Sequence, residues 1–515
     1  MAQAMWNDKL VEGHFREQQR YSLEEFVKSF DPEMDINRGE GLIHRLKAYG
    51  VLKQVKNKEE KDLSELVEED ISVEAIENGD KEQYFVFTFV GVLWVGGCIL
   101  KCYPKYFTAV EQEERRAQEL TQVFKVLKKY NRKADKETVY LYNDRVETGS
   151  FNFLAVMLYL LQDYHENGLY TNEKEIVETN GAGEILWDRT IHDTFALIQN
   201  GRPYYMELKT RRRISDENDY FRRLHRFVLS VCTKELSKKK ILWLFDLTPA
   251  EETSENIDDF GDVDYICYRI EQELNVQFNT RKKLLLKTMY AFIKNESSLQ
   301  SEEHFSMFGT NAFHVVWEAV CKKVLSDRLE EKANNALSIS DSDFENKKLK
   351  EIIEKPSWNQ KEAQDTSTKK ATFIPDVVSV EQIGQEKYFA IFDAKYYRVT
   401  FKNGEINGQP GIESVSKQFL YEMAYRRYLQ KLTKPVTVLN CFVFPYEETS
   451  SEVEQKGSVT MPMFTDAPSG GNNSPYGLGL QPIAILLVKP QYFYQKYLQD
   501  VSVIESILNA IKVNN

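Results

Sequence analysis

Residues Phe373–Tyr397 read FIPDVVSVEQIGQEKYFAIFDAKYY, and this stretch decides how the chain is interpreted. Its aromatic and β-branched residues predict two strands joined by a turn at Gly384–Gln385. Folding about that turn sets Asp376 opposite Asp393, and Asp393 and Lys395 leave the second strand on the same face. Two carboxylates and an ammonium at one strand end suit a bound Mg²⁺ and an activated water. A solvated strand face with alternating charges would give the same letters, so other parts of the chain must decide.

The composition indicates a folded protein of several domains. The chain of 515 residues is too long for one core, and its 42% hydrophobic and 12% aromatic residues suffice for folded domains. The net charge of -12 argues against nucleic-acid binding by bulk charge, although a local basic groove or DNA delivered by a partner remains open. The cysteines form no Cys-x-x-Cys pair and the histidines no zinc-binding pattern, so reduced thiols are expected.

The N-terminal half predicts a cytoplasmic protein without membrane contact. The start, MAQAMWNDKL, lacks the apolar core of a signal peptide. The most apolar run, Tyr84–Leu100, is shorter than the roughly 20 residues of a spanning helix. It also contains Gly96–Gly97, which favours a β-hairpin that turns at these glycines.

The elements around the two strands complete a possible site. The helix that begins near Asn311 carries Glu318 at the edge of its apolar stripe. Residues 327–370 are poor in apolar side chains and predict a mobile insertion. The helix after the two strands places Gln418 and Tyr421 three residues apart. The apolar runs VTVLNCFVFPY and PIAILLVKP predict buried strands of one sheet.

A basic group in an otherwise acidic chain is a second candidate surface. The segment MELKTRRRISDENDYFRRLHRF holds Arg211, Arg212, Arg213, Arg222, Arg223 and Arg226. Such a group contacts phosphates or an acidic partner, or else it forms local salt bridges on a solvated helix face. Both interpretations stay open.

The C-terminal order of helix, two strands, helix, two strands and helix resembles the PD-(D/E)XK nuclease fold, a mixed central sheet flanked by helices. The resemblance implies that the catalytic residues are Asp376, Asp393, Lys395 and Glu318. It implies Mg²⁺, with Mn²⁺ as an alternative, held by Asp376, Asp393, Glu318 and the backbone carbonyl of Ala394. It further implies that Gln418 and Tyr421 support the site or contact a phosphate, while metal-activated water attacks a phosphodiester.

Two upstream segments resemble McrC-type proteins. FVGVLWVGGCILKCYPKYF is similar to their "VGV…G…L.I.PK" segment. GEILWDRTI is similar to their "G.I.W.RTI" segment, carried here by Gly183, Ile185, Trp187, Arg189, Thr190 and Ile191. IPDVV…FAIFDAKYY with KQFLYEMAY is most similar to the LlaJI branch of restriction endonucleases, which shares the McrC-type plan. The resemblance extends over residues 84–500.

This resemblance implies a type II/IV-like restriction endodeoxyribonuclease that cuts double-stranded DNA together with a separate McrB-like AAA+ GTPase. The chain has no G-x-x-x-x-G-K-[ST] loop, so it is expected to bind no nucleotide, and GTP would be used by the partner. Two alternatives stay open. One is a stand-alone structure-specific or repair nuclease, and the other is a non-catalytic adaptor that binds DNA and stimulates a motor.

The predicted fold is multi-domain α/β. Residues 1–75 are expected to form a small helical module, of the winged-helix kind or packed on the next domain, followed by an acidic linker. Residues 76–295 are expected to form an McrC-like α+β docking domain with a β-hairpin or barrel-like part. Residues 296–515 are expected to form the PD-(D/E)XK nuclease domain, with the mobile insertion at 327–370.

Overall fold

The computed structural model describes most of the chain and divides it into two compact units. The described residues are 10–55, 84–110, 112–133, 151–296, 304–339, 342–355, 357–358, 368–369, 372–402, 405–466 and 478–512. Unit 1 comprises residues 1–148 and 307–515, and unit 2 comprises residues 149–306. This division differs from the three predicted domains, and Val11–Arg16 pairs with Cys98–Tyr103 across the predicted boundary at residue 75. Most of the predicted acidic linker lies outside the described residues.

The first part of unit 1 consists of short strands and helices. These are β1 (Val11–Arg16), β2 (Arg20–Tyr21), α1 (Leu23–Lys28), β3 (Phe30–Asp31), α2 (Ile36–Ala48), β4 (Leu52–Val55), β5 (Tyr84–Phe87), β6 (Val90–Val95), β7 (Cys98–Tyr103) and α3 (Glu113–Lys133). Strands β6 and β7 form the hairpin predicted at Gly96–Gly97. Helix α1 begins with a capping box formed by Ser22 and Glu25.

The N-terminal residues are not a separate helical module. Strand β1 pairs in parallel with β7, and β4 pairs antiparallel with β5. The strands order as β13-β6-β7-β1-β3 in one sheet and β2-β5-β4 in another, where β13 is Phe305–Thr310. The prediction for residues 1–75 identified the two helices but missed the strands, because β1 is polar and its partner is distant in sequence.

Unit 2 combines a helical core with small sheets. Its elements are α4 (Phe153–Asn167), β8 (Glu173–Thr179), β9 (Glu184–Ile185), α5 (Trp187–Asp193), β10 (Ala196–Gln199), β11 (Arg202–Tyr205), β12 (Lys209–Ser215), α6 (Tyr220–Lys238), α7 (Val263–Val276) and α8 (Thr280–Asn295). Helix α4 is buried on most sides, in keeping with its largely apolar sequence, and Gly168 is its C-cap. Strands β10 and β11 form a two-stranded hairpin that pairs with no third strand among the described residues.

A buried histidine makes the stability of unit 2 depend on pH. His225 on α6 is completely buried, and its Nδ1 accepts a hydrogen bond from the Tyr170 backbone N–H at 3.0 Å. Burial lowers the pKa of His225 to about 4. In the unfolded chain the pKa is near 6.5, so the unfolded state takes up the proton first as the pH falls. The contribution of neutral His225 to the stability of unit 2 is therefore complete above pH 6.5 and is lost as the pH falls towards 4.

We expect His225→Asn to remove this pH dependence, because the Asn oxygen can accept the same N–H and does not titrate. The wild type should lose about 3 kcal/mol relative to the variant between pH 7 and pH 4. Urea unfolding of helix α6, followed by pulsed hydrogen exchange and mass spectrometry at each pH, measures the difference. If the free energies of unfolding of the wild type and the variant differ by the same amount at pH 7 and at pH 4, His225 does not titrate in this way.

The second part of unit 1 contains the elements that position the predicted site. After β13 they are α9 (Phe313–Val324), α10 (Ala333–Ala336), α11 (Ser342–Glu345), β14 (Ser357–Trp358), β15 (Thr368–Lys369), β16 (Val377–Ile383), β17 (Glu386–Ala394), β18 (Thr400–Lys402), β19 (Glu405–Asn407), α12 (Ile412–Leu429), β20 (Thr437–Pro445), β21 (Val453–Val459), α13 (Pro462–Thr465), β22 (Ile483–Val488), α14 (Pro490–Gln499) and α15 (Ile504–Lys512). One mixed sheet has the order β16-β17-β20-β22-β21. Strands β17, β20 and β22 are parallel, and the two outer strands run antiparallel to their neighbours.

The segment after α9 belongs to the core of this sheet. Its few apolar side chains are buried with those of β16, β17 and α12: Leu329, Ala333, Leu337, Phe344, Leu349, Ile352 and Ile353. The prediction of a mobile insertion therefore does not describe residues 327–339 and 342–355, because well-spaced apolar residues suffice to pack short helices. Much of the rest of the predicted insertion, including 359–367, lies outside the described residues. Among the described helices, none combines the length and apolar character needed to cross a membrane.

Candidate active site

Strands β16 and β17 form the hairpin that the sequence predicted. Val377 lies opposite Phe392, so the residues just beyond them, Asp376 and Asp393, face each other across the pair. The turn contains Gly384 at φ 63°, a left-handed conformation that favours glycine. The backbone N–H of Ala394 donates a hydrogen bond to Asp376 Oδ2 at 2.8 Å. This bond holds the Asp376 carboxylate against the end of β17.

The carboxylates of Asp376 and Asp393 lie close to each other and to the ammonium of Lys395. Asp393 is only 7% exposed, and the Nζ of Lys395 lies 2.9 Å from its Oδ2. Burial and the neighbouring charge of Asp376 raise the pKa of Asp393 to about 7, against the opposing effect of Lys395. Lys395 also donates a hydrogen bond to Ser414 Oγ at 3.2 Å. The site therefore holds more negative charge than its lysine compensates.

Helix α9 brings Glu318 to the same cavity. Its apolar face is buried through Val316, Trp317 and Val320, which leaves Glu318 half-buried at the edge. Burial, and next the charge of Asp376, raise the pKa of the Glu318 carboxyl. Glu318, both aspartates, Ala394, Lys395 and Tyr421 line one cavity of about 490 Å³ within unit 1. The structure thus brings the four predicted catalytic residues together.

The two helix α12 residues occupy different positions. Gln418 is 0% exposed, and its amide nitrogen lies 3.3 Å from the carbonyl oxygens of Ile391 and Cys441. It therefore bridges β17 and β20 below the site, and a phosphate cannot reach it in this conformation. Its predicted supporting role agrees with this position but stays a prediction. Tyr421 lies on the cavity, where its ring packs against Phe373 at 5.4 Å.

The arginine group lies on unit 2 and is largely matched by glutamates. Arg211, Arg212 and Arg213 are on strand β12 instead of a helix. Their partners within 3.2 Å are Glu184, Glu178 and Glu175, respectively. On α6, Arg223 pairs with Glu255 at 2.5 Å, and Arg222 lies beside it. These salt bridges weaken the basic character of the group, and its contact with DNA or a partner stays a prediction.

The cavity also has a wall that the sequence analysis did not identify. Glu17, Gln18, Lys53 and Lys105 come from the first part of unit 1 and line the same space. Lys105 belongs to the segment PKYF, the end of the stretch that resembles an McrC-type segment. That resemblance assigns no role to Lys105. The position of a lysine directly after a predicted hairpin was the available signal. Its placement beside residues nearly 300 positions away in the chain was not predictable from local pattern.

A known protein family matches most of this chain. Residues 89–469, more than half of the chain, match the model of the LlaJI restriction endonuclease family. The chain belongs to the LlaJI restriction endonuclease family. The matched range contains the hairpin β6–β7 and the complete hairpin β16–β17. It therefore includes both the McrC-like segment at β6–β7 and the LlaJI-like segment at β16–β17.

Individual relatives of this LlaJI-family chain are distant. The type II restriction enzyme BsuMI component YdjA of Bacillus subtilis (strain 168) is 25% identical over 423 residues, which are 82% of each protein. A refined half-complex from the tetradecameric assembly of Thermococcus gammatolerans McrB AAA+ hexamers with bound McrC is 12% identical, with a TM-score of 0.35, over 96% of this chain and 100% of that chain. The cryo-EM structure of the Thermococcus gammatolerans McrBC complex is 12% identical, with a TM-score of 0.24, over 62% and 88%. Similarity at these TM-scores does not establish a shared fold.

Proposed function

We propose that this chain is the nuclease subunit of an McrBC/LlaJI-like restriction system and hydrolyses phosphodiester bonds in double-stranded DNA. The observation that carries the proposal is the convergence of Asp376, Asp393, Lys395 and Glu318 in one cavity of a restriction endonuclease family member. The mixed sheet, with an antiparallel hairpin leading into parallel strands and helices α9 and α12 beside it, agrees with the PD-(D/E)XK fold.

The donor set fits a hard divalent cation such as Mg²⁺, or Mn²⁺ in its place. Carboxylate and carbonyl oxygens are the ligands these ions prefer, and here they are Asp376, Asp393, Glu318 and the carbonyl of Ala394. Burial, and next the charge of Asp376, raise the pKa of Asp393, and a bound cation would favour its ionised form. Within the described ranges, no three acidic, histidine or cysteine side chains already surround a metal position, so side chains must turn to bind one. A bound cation would offset charge on the scissile phosphate and favour the ionised form of water.

The remaining chemistry falls on side chains of the cavity. Lys395 is held by Asp393 and Ser414, and its ammonium can donate a hydrogen bond to the attacking water or to a phosphate oxygen. Glu318 is half-buried with a raised pKa, which suits a carboxylate that accepts a proton from that water. Tyr421 lines one side of the cavity.

We also propose that cutting requires a separate McrB-like AAA+ GTPase, which uses GTP. The Bacillus subtilis relative is described as a component of a restriction enzyme, which indicates a system of several chains. Unit 2 carries a surface suited to a partner, here called the α5–β11 surface. Its exposed large side chains are Trp187, Ile191, Phe195, Leu197, Ile198, Tyr204 and Met206. Leu197 and Tyr204 are direct cross-strand neighbours, and so many exposed apolar side chains in succession mark an interaction site.

The proposal predicts cleavage only by the assembled system. The full chain, mixed with the AAA+ GTPase component of its own system, Mg²⁺ and GTP, should cut duplex DNA. Chelation of the metal or omission of GTP should stop the reaction, because the metal and the motor supply separate requirements. Gel analysis of plasmid substrates measures this. Equal cutting by the isolated chain without nucleotide would favour a stand-alone nuclease, and the absence of cutting under every condition would contradict the nuclease function.

A further inference from the structure

The catalytic cavity is composite within unit 1. One side comes from the hairpin β16–β17 and helices α9 and α12, which supply Asp376, Asp393 and Glu318. The other side, here called the N-terminal wall, consists of Glu17, Gln18, Lys53, Thr88 and Lys105. The carboxylates are concentrated on the hairpin side, whereas both lysines of the N-terminal wall face the same space. The hairpin side thus holds three carboxylates with Lys395 and Lys417, and the N-terminal wall adds Lys53 and Lys105 beside Glu17. The two lysines of the wall are further cations for an anionic substrate.

The N-terminal wall is fixed to the strand end that carries Lys395. The Tyr396 hydroxyl donates a hydrogen bond to Glu17 Oε2 at 2.6 Å and accepts one from the Lys105 backbone N–H at 3.1 Å. Tyr396 is buried and packs against the Tyr106 ring with centroids 6.2 Å apart. Because Tyr396 directly follows Lys395, these bonds hold the wall and the catalytic strand end in one arrangement.

Lys105 is oriented towards the cavity by specific contacts. Its Nζ donates a hydrogen bond to Gln18 Oε1 at 3.0 Å and lies 4.6 Å and 5.3 Å from the ring centroids of Tyr396 and Tyr397. The ring faces attract the ammonium and help to hold it in this position. Gln18 has a φ of 60°, a strained conformation for a residue other than glycine, and its N–H is fixed to the Phe87 carbonyl at 2.9 Å. The backbone strain at Gln18 thus coincides with the residue that positions Lys105.

Lys53 adds a second cation from strand β4. Its side chain is exposed while its neighbours Leu52 and Val55 are buried, so the strand anchors it at the cavity. Lysine contacts with the phosphates of duplex DNA contribute binding energy and fix the register of a protein on the duplex. We propose that Lys53 and Lys105 bind the phosphate backbone of the DNA and position it for cleavage; this inference rests on the proposed nuclease function.

The test is duplex binding by the full chain as a function of salt, measured by fluorescence anisotropy with Ca²⁺ in place of Mg²⁺. Each lost phosphate contact makes the slope of the logarithm of the binding constant against the logarithm of the salt concentration shallower by about 0.9. We therefore expect Lys53→Met and Lys105→Met each to reduce the slope by about 0.9 and to weaken binding about tenfold. Lys105→Arg should restore most of the slope. Lys28→Met is the matched control, because Lys28 is an exposed lysine of α1 that does not line the cavity.

The outcomes separate this inference from the proposed function. Lys53 is exposed, so its variant should fold even where a Lys105 variant does not. If both methionine variants keep the wild-type slope and affinity, the lysines do not bind phosphate and the inference is overturned. Absence of duplex binding by the wild type also overturns it. In both cases, cleavage by the assembled system, and its loss with Asp393→Asn, decides the proposed nuclease function independently.

Discussion

Asp393→Asn and Lys395→Met should each lower DNA cleavage by the assembled system at least about 10³-fold. Asp393 faces Asp376 across the hairpin, and Asn removes the charge while keeping the shape. Lys395 is held 2.9 Å from Asp393 Oδ2, so methionine removes an ammonium in direct contact with that carboxylate. The rate of plasmid cleavage at saturating Mg²⁺ measures the effect.

The unfolding temperature of each variant shows whether a loss of cleavage results from a lost fold. The folded pKa of Asp393 is raised to about 7, so its charge costs stability above that pH, and protonation as the pH falls removes the cost. Asp393→Asn should therefore unfold at the same or a higher temperature than the wild type at pH 8. Lys387→Met, on the same strand but outside the cavity, is the matched control and should cut normally. If either site variant cleaves DNA at the wild-type rate, the site is wrongly assigned.

Phe195→Ser combined with Ile198→Ser should weaken binding of the AAA+ GTPase component at least about 30-fold. Phe195 is 100% and Ile198 77% exposed, so neither side chain stabilises unit 2 through burial. A large apolar side chain that becomes buried on association contributes about 2 kcal/mol or more when it is a hot spot, so the loss of one such side chain already corresponds to about 30-fold. Binding measured by biolayer interferometry, and GTP-dependent cleavage at limiting protein, should fall together.

Phe278→Ser is the matched control for the α5–β11 surface. Phe278 also belongs to unit 2 and is 89% exposed, but it follows helix α7 and lies outside that surface. It should bind the partner and support cleavage like the wild type. Equal losses in the control and the double variant would mean a general effect of removing exposed aromatic residues. Undiminished binding by the double variant would mean that the motor docks elsewhere.

The sequence predicted the elements whose information is local. The turn at Gly384, the alternation of β16 and β17 and the spacing of Asp393 and Lys395 lie within one stretch of 25 residues, so the facing carboxylates followed from strand geometry. The hairpin β6–β7 was predicted for the same reason. Glu318 required more, because its place in the cavity depends on how α9 packs, and the family resemblance supplied that expectation.

Features that depend on distant contacts were missed. Strand β1 is recognisable only through its pairing with β7, and Lys105 reaches the cavity only because Tyr396 binds Glu17 and the Lys105 backbone. The segment after α9 has too few apolar residues to suggest a core, yet their spacing lets them pack under β16 and β17. Gln418 was correctly placed on its helix, but only the packing of α12 shows that its amide points between two strands.

The most direct measurement for the proposed cutting centre is the anomalous scattering of Mn²⁺ in crystals of the full chain. We expect one or two Mn²⁺ ions at the end of β16 and β17, bound by both Asp376 and Asp393, and none in Asp393→Asn crystals. A protein that cuts DNA in solution but binds Mn²⁺ only away from these two carboxylates would contradict the assignment of the active site.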